Sequence, residues 1–112
     1  PAAGDASHRV ALKYGRGGIV DIEFVVQYLV LKHAAHHPDV RRWSDVVRIL
    51  ETLEACRILS SSDANSLKDA YLGLRSSVHR APVSNASDSD SVETDELMKQ
   101  ASAVCTRLLP NL

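Results

Sequence analysis

The fold of this chain is decided by KYGRGGIVDIEF (residues 13–24) and the run that continues it, VVQYLVLKHAA (25–35). From Ile19 to Ala35 twelve of seventeen residues are apolar, too many for a helix with one dry stripe and one wet face. Placed at 100° per residue, Asp21 and Lys32 share one narrow polar seam, and Glu23 and Gln27 share another on nearly the opposite side. That pattern predicts a helix covered on most sides, central to a small domain and also packed against a neighbour. The alternation over Val20–Phe24 permits a second reading as a strand. Asp21 and Glu23 would then point the same way and together hold a magnesium ion, as in nucleotidyl transfer. On a helix the two acids stand about 200° apart and cannot share an ion. The unbroken apolar run after them favours the helix. His36-His37-Pro38 ends it, because the residue before proline is pushed out of the α region.

Two readings also apply to the glycines before this helix. Gly17 and Gly18 at a helix start offer backbone N–H groups to an anion, with Lys13 and Arg16 adding positive charge for phosphate oxygens. Alternatively they form a tight turn, with Asp21 and Glu23 favourably placed near the positive helix end. The spacing is neither a Walker A loop nor a GxGxxG turn, and the tight turn is preferred. Residues 1–18 are read as a connector from an upstream catalytic domain, with Val10-Ala11-Leu12 a short extended piece. The chain is expected to begin inside a longer protein.

Further along, a second helix is expected from about Ser44, its N-cap, to Leu59, burying Val46, Ile49 or Leu50, Leu53 and Cys56. Ser60-Ser61-Ser62-Asp63 resembles a capping box opening a third, whose stripe is Ala64, Leu67, Tyr71, Leu74 and Val78. APVSNASDSDS (81–91) has almost no apolar content and is read as a mobile loop. A last helix, Val92–Leu109, turns Leu97, Ala101, Val104 and Leu108 inward. The expected fold is all-α: a bundle of about four helices over residues 19–112, behind a short N-terminal extended connector.

Composition narrows the function. The 112 residues carry 13 basic and 14 acidic groups, which argues against a phosphate-tracking surface. Aromatics are 4%, too few for a base-stacking platform, so no nucleic-acid partner is expected. The longest apolar stretch, Ile19–Leu31, is too short for a membrane span. Cys56 and Cys105 lack paired spacing and read as buried thiols of a reducing, cytoplasmic compartment. His33 and His37, with Asp39 nearby, have metal-ligand spacing but no third strong partner, and read as a solvated helix end. Ser60-Ser61-Ser62 lacks a nucleophile elbow and reads as a cap. Trp43 reads as a packing anchor, and Arg41, Arg42, His79 and Arg80 as surface groups able to meet a protein partner.

The stretch from Leu12 to Leu59 resembles the C-terminal part of the glutamine synthetase adenylyltransferases, which add and remove AMP on glutamine synthetase. The likeness lies in Lys13, the run Gly17–Phe24, Gln27-Tyr28, His33, His37-Pro38, Trp43 and Arg48-Ile49-Leu50-Glu51. Asp69–Arg75 and His79-Arg80 extend it. The resemblance implies a helical domain that follows a nucleotidyltransferase catalytic domain. It implies ATP and magnesium as cofactors of the full-length enzyme, and glutamine synthetase and the PII signal protein as partners. The glycine-serine turn and strand carboxylates that hold magnesium in that class are absent here, so the chain alone is expected to be inactive. Lys13, Arg16, Gly17, Gly18, Asp21 and Glu23 are the expected nucleotide-cleft residues; Arg41, Arg42, Trp43, His79 and Arg80 are the expected docking residues. The corresponding helical domain of a PII uridylyltransferase, or a pure protein-interaction module, is the alternative.

Overall fold

In the computed structural model, residues 9–41, 45–79 and 88–109 are described. A helical turn, α1 (9–14), leads through the glycines into α2 (Ile19–His33). A 3-10 turn (Pro38–Arg41) follows, then α3 (Val46–Ala55), α4 (Ser61–His79) and α5 (Asp88–Leu108). Among the described residues there is no strand, and the all-α bundle is as expected. The extended piece at Val10-Ala11-Leu12 is not: these residues are helical, and Gly15 N–H closes the turn on the Ala11 carbonyl (2.8 Å). Burial explains the difference, because Leu12 points into the core while Val10 and Ala11 face outward, a helical spacing.

The third segment is shorter than expected. Asp45 caps α3, its Oδ1 accepting from Val47 N–H at 2.9 Å; Ser44 lies outside the described residues. At the other end Arg57 takes a left-handed conformation (φ 62°). Its N–H donates to the Glu54 carbonyl, and Ile58 N–H to that of Leu53, both at 2.9 Å. This pair is a Schellman stop, normally built on glycine. Helix α4 starts at the expected cap, with Ser60 Oγ accepting from Asp63 N–H (3.1 Å).

Helix α5 begins at Asp88, inside the segment read as a loop; residues 81–87 lie outside the described ones. Helices α4 and α5 run antiparallel. Arg107 near the end of α5 grips Asp63 at the start of α4 with two parallel bonds (2.9 and 3.1 Å), and midway Gly73 leaves just enough room for Leu97. The core collects Ile22, Val25, Val26 and Leu29 of α2, Ile49, Leu50 and Leu53 of α3, Leu67, Ala70 and Leu74 of α4, and Ala101 and Val104 of α5. The stripes expected on α3 and α4 are the buried ones, with Cys56 and Val78 half-buried at their ends.

Candidate functional site

The glycine turn and the first half of α2 hold the cleft residues. Gly17 adopts φ +77°, and a Cβ there would run into the Met98 carbonyl oxygen of α5; one on Gly18 would strike the Leu12 carbonyl at 2.5 Å. Only glycine lets the turn lie this close to α5. Both glycines are buried, and both N–H groups are used within the chain: Gly17 donates to Asp21 Oδ2 (2.8 Å) and Gly18 to the Gly15 carbonyl (2.8 Å). The turn therefore closes on itself, and Asp21 acts as its brace.

Asp21 and Glu23 diverge, as the helical repeat dictates. Asp21 borders a groove of about 300 Å³ with Arg16, Phe24 and Cys105. Burial, with Asp21 as the lesser cause, pushes the Cys105 thiol up to about 11. Glu23 borders a different groove of about 320 Å³ with Lys13, Tyr14, Val20, Arg75 and Val78. Lys13 and Arg16 thus stand on separate sides, each beside one of the acids, and do not converge on one anion. Magnesium shared by Asp21 and Glu23 does not fit this arrangement.

Glu23 is held from α4. The Tyr71 hydroxyl donates to Glu23 Oε2 (3.3 Å) and accepts from Arg75 Nη1 (3.0 Å), while the Arg75 guanidinium lies 5.5 Å from the Tyr71 ring centre. The hydrogen bond to Tyr71, with Glu23 and Asp45 behind it, holds Arg75 above the usual guanidinium range. Sequence reading assigned Tyr71 to the core alone and passed over Arg75. The i,i+4 spacing of Tyr71 and Arg75 was the only local signal; Glu23 lies 48 residues from Tyr71.

At the far end of α2 the His33 and His37 rings lie 6.5 Å apart, tilted by 56°. Burial lowers the His33 pKa, and Lys32, His37 and His36 lower it further. Among the described residues no three His, Cys, Asp or Glu side chains converge to hold a metal. No described helix is long and apolar enough to cross a membrane. Of the docking residues, Arg42, Trp43 and Arg80 lie outside the described residues, and Arg41 and His79 are placed by backbone only.

One further feature was half anticipated. Beside the buried face of α2, an outer line of large side chains stays open: Val20 at 39%, Phe24 at 59% and Leu31 at 80% exposure, with Tyr14 at 67% adjoining Val20 across the second groove. These open residues lie on the side of α2 away from its buried face.

The chain is 45% identical over 89 residues to a protein of Hahella chejuensis named bifunctional glutamine synthetase adenylyltransferase/adenylyl-removing enzyme, a match covering 80% of this chain and 9% of that protein. Proteins of the same name from Pseudomonas putida (46% over 76 residues; 68% of this chain, 8% of the relative) and Mannheimia haemolytica (47% over 68; 61% and 7%) are similarly related. The chain therefore spans less than a tenth of the length of these curated relatives. No solved structure matches it. A family model described as GlnD PII-uridylyltransferase matches residues 4–107, nearly the whole chain. With a helical bundle beneath that match and adenylyltransferases as its relatives, the chain belongs to this nucleotidyltransferase-associated helical family.

Proposed function

We propose that this chain is a non-catalytic helical part of a longer cytoplasmic enzyme that transfers AMP from ATP to a tyrosine of glutamine synthetase. The observation that carries the reading is the 45% identity over 80% of the chain to a relative of that name. In the reaction the tyrosine oxygen bonds to the α-phosphorus of ATP, pyrophosphate leaves, and the hydroxyl proton is lost. ATP and magnesium belong to residues outside this chain. What this chain contributes is a wall: Lys13 and Arg16, exposed in separate grooves beside the glycine turn, each present a cation at a different point of the nucleotide cleft of the adjoining catalytic domain. Asp21 and Glu23 hold that wall in shape, through the Gly17 N–H and through Tyr71.

Lys13→Glu and Arg16→Glu in the longer enzyme test this role. Loss of a charge-assisted contact raises the KM for ATP by about tenfold, while AMP transfer with unchanged ATP dependence overturns it. A second reading follows from the family model's description, with a PII signal protein as the acceptor and UMP as the group moved. Parallel assays with labelled ATP on glutamine synthetase and labelled UTP on PII separate the two. Docking of either protein through Arg41, Arg42, Trp43, His79 and Arg80 belongs to the same proposal. Substitutions there lower partner affinity and leave nucleotide binding intact.

A further inference from the structure

The outer face of α2 has the make-up of a contact surface. Val20, Phe24 and Leu31 recur at four and seven residues and so lie along one side of the helix, with exposed Gln27 between the last two. Tyr14 widens the line at its start. The flanks are polar on both sides, with Lys13, Glu23 and Arg75 along one groove and Arg16 and Asp21 along the other. An apolar centre with a charged rim of both signs is the anatomy of a protein interface. The buried residues of α2 lie on the opposite side of the same helix.

Area selects the occupant. The open line amounts to on the order of 500 Å², near the upper end of what single-chain proteins leave bare. It falls short of the roughly 800 Å² per partner typical of a stable complex between separate molecules. It suits the contact between two domains of one chain, about 600–1,500 Å² in total, where the covalent link supplies the effective concentration. The relatives provide such a chain, since this domain is 9% of the Hahella protein.

We infer that the Val20–Phe24–Leu31 line is the seat of another domain of the same polypeptide, through an apolar ridge bordered by charges of both signs. The inference rests on the reading of this chain as part of a longer transferase and names the face that meets the rest of it. A second copy of the chain is the alternative occupant.

The test uses the full-length enzyme carrying Phe24→Cys, Leu31→Cys or, as a control on the outer side of α4, Asn65→Cys. Maleimide labelling of each site is followed by peptide mass spectrometry at two protein concentrations. Cysteines at 24 and 31 are expected to label on the order of tenfold slower than at 65, as for a site opened only by local separation. The rates should be the same at concentrations roughly a hundredfold apart, which an intramolecular contact requires. Labelling at 24 and 31 as fast as at 65 overturns the inference. Protection that fades on dilution also overturns it, in favour of a second copy. AMP transfer to glutamine synthetase is measured on the same unlabelled enzyme. Transfer without protection rejects the face and keeps the function; protection without transfer rejects the function and keeps the face.

Discussion

The two sides of α2 are built from the same kinds of residue and have opposite fates. Ile22, Val25, Val26 and Leu29 are buried against α3, α4 and α5, whereas Val20, Phe24 and Leu31 stand open. Hydrophobic content does not separate these sides; position around the axis does. A helix apolar on both sides has two tasks, folding its own domain and offering a surface. Helix α3 has one task. Its buried line is Val46, Ile49, Leu50 and Leu53, and its other side carries Arg48, Glu51 and Ala55 in solvent.

The comparison breaks most readily on the inner side. Ile22→Ala removes a fully buried side chain and should cost about 2–5 kcal/mol, read by urea or thermal unfolding. Gly17→Ala attacks the turn that sets the register of α2. With a left-handed φ and the Met98 carbonyl in the way, it should cost about 1–3 kcal/mol, and Gly17→Ser should fare no better.

Two further predictions sharpen the comparison at its margins. Arg57→Gly, at the stop of α3, relieves a left-handed residue with a Cβ and should raise stability by about 0.5–1 kcal/mol. At the border between the two sides of α2, burial raises the Cys105 thiol pKa from an ordinary 9.0 to about 11. The folded state holds that proton more tightly. Its contribution is therefore complete below pH 9.0 and is lost as pH rises through the folded value. Wild type should lose stability across that alkaline window more steeply than Cys105→Val, measured as unfolding free energy against pH. The smallest effect belongs to the outer side: in the 112-residue chain by itself Phe24→Ala should leave stability within about 0.5 kcal/mol of wild type.

Much of this was legible in the sequence because it is local. The stripe of α4 is a periodic signal, and Ser60 caps through a bond three residues away. The divergence of Asp21 and Glu23 follows from the helical repeat alone. What the sequence hid is non-local or energetically subtle. Arg57 ends α3 without a glycine to announce it, so the helix was read four residues too long. The segment Asp88–Ser91 carries no apolar spacing, so the sequence gives no sign that α5 starts there. The expected cleft residues fall into two grooves, Lys13 with Glu23 in one and Arg16 with Asp21 in the other. The hold of Tyr71 on Glu23 from α4 and the use of both glycine N–H groups within the chain are not revealed by spacing along the sequence.

Equilibrium unfolding of Ile22→Ser and Phe24→Ser in the 112-residue chain by itself, two residues apart on one helix, tests the central claim most directly. The account predicts that serine at 22 abolishes or severely weakens the fold while serine at 24 leaves the unfolding midpoint near that of wild type. Equal losses at the two positions would contradict it, because the outer side of α2 would then belong to the domain's own core.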